Sequence, residues 1–395
     1  MQSNYKRLGD YIKEVSIKNT DLKVNNLIGV SIDKKFIKSV ANTIGVDMST
    51  YKIIKKNQLA CKLMSVGRDE KLPVDLYVEE EPSLVSSAYY VFEPIDSNVL
   101  MPEYLKMWLF RSETDRFVGY VSGGDVRGGI SWDTFCDIPI KVPAIEKQQE
   151  IVNEYHTIQN RINLNNQLIA KLEETAQTIY KQWFVEGIDL QNLPIGWETK
   201  MLSEIASIKG GKRLPKGEEL NDLKLGRPYI KVADMKKTKY LVLNDKFQYV
   251  SNDIQSLISR YIINSGDLII SIVGTIGMIN IIDDSLNNAN LTENCFKINA
   301  FKLINANYLY HYLNSEIGKR IIEERTVGGV QGKLPMYNVE SMSILIPEEN
   351  LLHKFNTIID KIDKTTLSKV KENKILEELK DLLLARMTRV EIEKI

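Results

Sequence analysis

GGISWDTFCDIPIKVP at 128–143 and GKLPMYNVESMSILIP at 332–347 decide how this chain is read. Gly128 meets Gly332, Ile130 meets Leu334, Ile138 meets Met342, Ile140 meets Ile344 and Pro143 meets Pro347, all at one displacement of 204 residues. The stretches just upstream, YLKMWLFRSE (104–113) and YLYHYLNSEI (308–317), keep the same displacement. Earlier segments correspond at smaller or larger offsets: RLGDYIKEV with MLSEIASI, KNQLACKLMSVG with SGDLIISIVGTIG, and SSAYYVFEP with ENCFKINAF. A period near 200 is too long for a solenoid unit, so it predicts two copies of one domain. Each copy reads as mixed α/β. Segments rich in β-branched and aromatic residues, bounded by Gly, Pro and Asn, predict strands, and MPEYLKMWLFRSETDRFV and NANYLYHYLNSEIGKRIIEE have helical spacing. Tyr89, Tyr90 and Phe92 alternate as core strand residues do.

A long helix follows each copy. In the first, positions 151, 155, 158, 162, 165, 169, 172, 176, 179 and 183 step by four and three and hold Ile151, Tyr155, Ile158, Ile162, Asn165, Ile169, Leu172, Ala176, Ile179 and Trp183. That is a seam of 3.5-residue period, with Asn165 either fixing register or simply exposed. In the second, Phe355, Ile359, Ile362, Val370, Leu376, Leu379, Leu383 and Met387 mark one side. Forty-residue helices would span about 60 Å each. The simplest way for two such stripes to leave water is an antiparallel coiled coil that separates the two domains. The expected blocks are a domain over 1–145, a helix over 146–186, a linker and second domain over 187–347, and a helix over 348–395.

Composition narrows the function. The 395 residues carry 52 basic and 52 acidic side chains, so any nucleic-acid face must come from local sorting of charge. The three cysteines are scattered without a CxxC pair, which argues against a disulfide framework or a structural zinc site. No apolar run is long enough for a membrane span, and the N-terminus has no signal-like core, so the expected setting is soluble and cytoplasmic. His156, His311 and His353 lie in no HExxH or GxSxG context, and the first and last read as structural. No Pro-Pro dipeptide exists to build the base-gripping loop of an adenine methyltransferase, and no GxxxxGK[ST] loop occurs. Neither catalytic nor metal-ligating residues are expected.

Residues 200–239 hold 11 basic against five acidic side chains. The candidate DNA contacts there are Lys209, Lys212, Arg213, Lys216, Arg227, Lys231, Lys236 and Lys237; in the first domain they are Lys34, Lys35, Lys38, Lys55, Lys56, Lys62 and Arg68. The glycine-rich stretches VSGGDVRGG and VGGVQGK add Arg127, Arg325, Gln331 and Lys333, unless these are tight turns into the last strand.

The duplicated layout and its local signatures resemble the specificity subunit of type I restriction–modification enzymes. The stretches that carry this are RLGDYI, WDTFCDIPIKVPAIEKQQEIV, KQWFV, LPIGWETKMLSEIASIKGG, GDLIISIVGTIG and IPEENLLHKFNTII, spread along essentially the whole chain. LPMYNVESMSILIP lacks the Trp and Phe of its counterpart. The resemblance implies two target recognition domains that read an asymmetric bipartite site in double-stranded DNA. It also implies helices that bind two adenine methyltransferase subunits, and a restriction and translocase subunit joining them. S-adenosylmethionine, ATP and magnesium would belong to those partners, and this chain would need no cofactor. The residues alone also allow a coiled-coil adaptor that binds proteins, or the specificity chain of another type of restriction enzyme.

Overall fold

The structure, a computed structural model, describes residues 5–39, 45–64, 66–123, 128–329 and 332–389. It forms two compact units: residues 1–162 with 375–395, and residues 163–374. Each unit therefore takes one globular copy and one end of each long helix, a partition the sequence blocks do not make.

In unit 1 the core sheet orders Ile12–Val15 (β1), Tyr90–Pro94 (β4), Leu59–Cys61 (β2) and Val74–Leu76 (β3), all antiparallel. In unit 2 the order is Ser207–Gly210 (β5), Cys295–Asn299 (β9), Leu268–Ser271 (β7), Ile279–Ile282 (β8), and a short parallel strand, Tyr240–Leu241 (β6), at the edge. The first four strands thus repeat the same arrangement. The SSAYYVFEP alignment needs correcting by one residue, because the registers Leu59↔Phe92 and Leu268↔Ile298 make Phe92 and Ile298 equivalent, and so Pro94 and Ala300.

Downstream the repeat becomes rigid. Helices Pro102–Phe110 (α1) and Ser112–Val121 (α2) recur as Ala306–Asn314 (α4) and Glu316–Arg325 (α5). The one-turn helix Trp132–Cys136 recurs as Met336–Glu340, and the long helix Ile145–Phe184 (α3) begins where Glu349–Arg386 (α6) does. Every start is displaced by 204 residues. Local chemistry explains the starts: Pro102 occupies the first turn of α1, where its missing N–H is no loss, and Asn305 caps α4 by accepting from the Tyr308 N–H at 2.9 Å.

Two aromatic donors lock each copy in the same way. Tyr104 Oη donates to the Lys141 carbonyl at 3.1 Å, and Tyr308 Oη to the Leu345 carbonyl at 2.8 Å. Trp108 Nε1 donates to the Pro139 carbonyl at 3.0 Å, and Tyr312 Oη to the Ser343 carbonyl at 2.8 Å. Donors and acceptors alike are 204 residues apart. A large apolar ring fills the core while its polar edge satisfies a backbone group that could not otherwise be buried.

The helix seam is present in both units. Ile151, Tyr155, Ile162, Asn165, Ile169 and Ala176 are buried, and Ile158, Leu172 and Ile179 are half-buried. Past Ala176 the buried positions become Tyr180 and Phe184, with Trp183 half-buried. A 3.6-residue helix drifts past a 3.5-residue stripe, and this end packs its rings against Phe355 and Tyr308. In α6, Phe355 and Ile359 are buried, Ile362, Leu376 and Leu383 half-buried, and Leu379 is exposed. Its buried face is completed by Asp363, Thr366, Leu384 and Met387, so the stripe is more regular than its apolar residues suggest.

Pairing is antiparallel inside each unit. In unit 2, the Tyr180 and Phe355 rings meet edge to face, while Asn165 Nδ2, earlier on α3, donates at 2.9 Å to Asn373 Oδ1, later on α6. In unit 1, Lys380 Nζ reaches Gln159 Oε1 at 3.4 Å, and Lys141, before α3 begins, meets the Thr388 carbonyl at the end of α6. Asn165 is buried and bonded, which settles it as a seam residue. Asn373 Nδ2 donates in turn to Asn166 Oδ1 at 2.8 Å, so the amides bond in one register only. His156 and His353 are exposed on their helices.

Candidate nucleic-acid interface

In unit 1 the candidate cations gather on a hairpin and a turn. Strands Ile28–Val30 and Phe36–Lys38 pair, and Lys34 lies in their connection. Lys34 is turned inward, however. It is 7% exposed, its Nζ donates to the Leu109 carbonyl at 2.9 Å, and it pairs with Asp115 at 2.8 Å. Burial lowers its pKa, against the raising effect of Asp115. A lysine held this way braces α1 and α2 and is not available to a phosphate. Lys35, Lys38 and Lys55 are exposed without a side-chain partner among the described residues, and Lys62 is half-buried. Lys56 pairs with Glu80, and Arg68 with its neighbour Asp69 at 2.7 Å. Such exposed pairs are weak and exchange readily for phosphate.

In unit 2 the cations lie along the start of the globular copy. Lys209 projects from β5, opposite Lys297 of β9. The chain then runs close against the sheet: Lys212 N–H donates to the Leu291 carbonyl at 2.8 Å, and Tyr229 Oη donates to the Lys212 carbonyl at 2.7 Å. That brings Lys212 and Arg213 beside the strand Arg227–Ile230. Lys209, Lys212, Lys216 and Arg227 are exposed; Lys212 Nζ sits 5.7 Å from the Tyr261 ring centre. Arg213 is paired with Glu293 at 2.7 Å, which raises the guanidinium pKa and lowers that of the carboxylate despite its partial burial. Lys231 is half-buried and bonded to Gln248 at 2.7 Å. Lys236 and Lys237 are exposed but follow a separate turn, whose backbone is held by Asn280.

The glycine-rich stretch after α5 is tied together at its two ends. Val327 and Lys333 exchange two backbone hydrogen bonds of 2.8 Å, with Lys333 exposed at its base. Arg325 belongs to the fold: its Nη1 donates to Ser341 Oγ at 2.6 Å, and its carbonyl accepts from Asn338 Nδ2 at 2.6 Å. Arg127 and Gln331 lie outside the described residues.

Lys239 is one of the 11 cations counted in 200–239, yet it is 2% exposed and paired with buried Asp363 of α6 at 2.6 Å. Tyr240 Oη also donates to Asp363, at 2.9 Å. Burial pushes Lys239 down and Asp363 up, while their mutual attraction opposes both shifts. Beside this pair is a cavity of about 190 Å³ whose walls include Glu173, Gln177, Tyr310, His311 and Thr366. The composition of the segment gives no sign of this role, because the partner lies 124 residues away. Among the described residues no group of three or more His, Cys, Asp or Glu is placed to hold a metal ion, and no helix is long and apolar enough to cross a membrane. All three cysteines are buried free thiols.

Comparison with known proteins agrees with this architecture. A profile for the type I restriction modification DNA specificity domain matches residues 75–174 and 194–380. The chain is 22% identical to the type I restriction enzyme HindI specificity subunit of Haemophilus influenzae, over 98% of both chains. It is also 22% identical to the MjaIX specificity subunit of Methanocaldococcus jannaschii, over 74% of this chain and 69% of that one. The crystal structure of a type I restriction–modification S subunit from M. genitalium shares the fold, with a TM-score of 0.53 at 14% identity over 97% of this chain and 95% of that one. Two matched segments covering most of the sequence, one in each copy, place the chain in the type I restriction–modification specificity family, as a DNA-specificity subunit rather than a catalytic one.

Proposed function

We propose that the two globular copies read the two unlike halves of an asymmetric, bipartite site in duplex DNA. The paired helices would recruit two adenine methyltransferase subunits, and through them a restriction and translocase subunit. The observation that carries this reading is the contrast between skeleton and loops. Helix starts and core hydrogen bonds repeat at one displacement, whereas the basic loops do not. The stretch 211–226, between β5 and the strand Arg227–Ile230, carries Lys212, Arg213, Lys216 and Lys224; its counterpart in the first copy, 16–27, is shorter and carries only Lys18 and Lys23, and the first copy offers Lys35, Lys38 and Lys55 at other places. Identical readers favour a palindrome; unlike readers in one chain favour two different half-sites. The exposed lysines would supply phosphate contacts that set position, and the loops they flank would read bases. Bond-making would belong to the partners, which would carry S-adenosylmethionine, ATP and magnesium.

The test is to purify the chain with its methyltransferase partner and map methylated adenines on genomic DNA. One motif with two dissimilar halves and a fixed gap is the expected result. Methylation without sequence preference, or one half-motif only, would refute it. Duplex affinity of the complex should fall steeply with salt, in proportion to the phosphates neutralised. A flat salt response would mark an adaptor for proteins instead.

A further inference from the structure

The second globular copy carries a braced apolar tip within its basic stretch. At its base, Asn221 exchanges backbone hydrogen bonds of 3.0 and 2.8 Å with Tyr249, and Arg227 is in register with Val250. Residues 222–226 protrude between these ties. Inside the tip, Leu225 N–H donates to the Leu223 carbonyl at 2.6 Å, Lys224 pairs with Asp245 at 2.6 Å, and Gln248 Nε2 donates to Asp222 Oδ1 at 2.9 Å. Gly226 leaves the tip at φ +99°, where a Cβ would run into the Val250 carbonyl oxygen, so glycine alone fits there. Behind it, Leu214 and Leu220 pack on Tyr229, Val250, Ile254 and Ile258.

On this support Leu223 and Leu225 are 66% and 69% exposed. Single exposed leucines are ordinary on protein surfaces. Two of them beside a lysine on a tied turn are a different matter, because folding has fixed them outward and forgone their burial. The stretch 211–227 is net positive, with Lys212, Arg213, Lys216, Lys224 and Arg227 against Glu218, Glu219 and Asp222, and its Lys212, Lys216 and Arg227 are exposed without a carboxylate partner among the described residues. An aliphatic point flanked by exposed cations matches the surface with which proteins unstack a base step, Lys212, Lys216 and Arg227 forming a rim that holds phosphates while the side chain enters from the minor groove.

We propose that Leu223 and Leu225 form a wedge that enters a base step within the half-site read by the second copy. Specificity would then come partly from how easily that step opens. The proposal rests on the reading of this copy as a DNA reader. It is tested in the complex with the methyltransferase, on duplexes bearing the mapped motif. 2-Aminopurine is placed in turn at each position of the second half-site except the methylated adenine, which flips for its own reasons.

With the unaltered chain, fluorescence should rise severalfold at one step. In L223A/L225A the rise should vanish, and site-specific methylation should fall about tenfold or more, while the salt slope of non-specific binding stays the same because the rim is intact. Melting temperature and co-elution with the methyltransferase should not change. No brightening at any such position, or brightening that survives in the variant, overturns the wedge. Loss of co-elution overturns it too, by making the tip a protein contact. Methylation without sequence preference by the unaltered chain removes the wedge together with the reading beneath it, and is recognised without any variant.

Discussion

The two units seat their own long helix with the same apolar skeleton but with a different buried polar pin. In unit 1 the pin is Gln148, in the first turn of α3. It is fully buried; its Oε1 accepts from the Met101 N–H at 2.9 Å, and its Nε2 donates to the Val99 and Pro143 carbonyls at 2.7 and 2.8 Å. The equivalent position in α6, 204 residues on, is Leu352, which is buried and apolar. Unit 2 instead places its pin about four turns along, at Asp363, whose equivalent in α3 is the half-buried Gln159. An amide with three backbone partners has replaced an ion pair, or the reverse. The difference teaches that packing defines the domain, while the polar contact fixing helix to domain can move along the helix.

Substitutions that charge the seam should have the largest effects. Ile162 is 4% exposed in unit 1, and Ile169 is 7% exposed in unit 2. I162D and I169D each place a carboxylate on buried apolar surface, at a cost of several kcal/mol. Each should destabilise mainly its own unit, and the double variant should lose co-elution with the methyltransferase in gel filtration. Full assembly by the double variant would mean that this stripe does not hold the helices together.

The pins come next. K239A leaves Asp363 buried without its cation, and breaking a buried pair in this way costs about 3–5 kcal/mol. Denaturant unfolding should show that loss in unit 2, and K239M/D363L should recover most of it, since an apolar pair of similar volume removes the stranded charge. K380A in unit 1 removes only the weak contact to Gln159 and a helical pairing with Glu377, and should cost under about 1 kcal/mol. Equal losses for K239A and K380A would erase the distinction between the units. At the shared aromatic locks the units should behave alike: Y104F and Y308F each strip a donor from a buried carbonyl and should each cost about 1–2 kcal/mol.

These contrasts also show what a sequence can carry. The duplication was legible because Ile138, Ile140, Met342 and Ile344 sit at identical spacing in a short junction, and a buried strand tolerates little else there. The α3 seam was legible because nine of its ten positions are apolar or aromatic. The α6 seam was legible only in part: Leu379 alone of its named stripe is exposed, but buried Asp363 and Thr366 were missed, because periodicity arguments treat a carboxylate as solvent-facing. Lys34 failed as a candidate DNA contact, and Lys239 as part of the charge count over 200–239, because their partners, Asp115 and Asp363, come from distant segments. Leu223 and Leu225 gave no signal, since an exposed leucine and a core leucine read alike until a structure shows what lies around them.

The smallest effect expected is a pH dependence confined to unit 2. His311 of α4 is 2% exposed, its Nδ1 lies 3.0 Å from Gln177 Oε1, and Gln177 Nε2 donates back to the His311 carbonyl at 3.3 Å. That second bond orients the amide, so Nδ1 carries the proton and donates, leaving Nε2 as a buried acceptor with no partner among the described residues. Burial holds the imidazole pKa well below its ordinary value, and the charge of Lys239 lowers it further; Glu173, Tyr310, Lys319 and Asp363 are the other titratable groups around this cavity. The folded state therefore keeps the ring neutral, while the unfolded chain takes up a proton near pH 6.5. Below that pH the unfolded state binds more protons, so stability is complete above it and is lost as pH falls, by at most about 1.4 kcal/mol per pH unit for one group. Asp363 and Glu173, whose pKa values are raised by burial, work in the opposite sense at lower pH, so the clean window lies just below about pH 6.5. Unit 1 has no histidine in its core, since His156 is exposed, and its transition should stay level across that window. Calorimetry of H311Q should show the unit 2 transition levelled as well; a slope of the same sign that persists in the variant would show that His311 is not the titrating group.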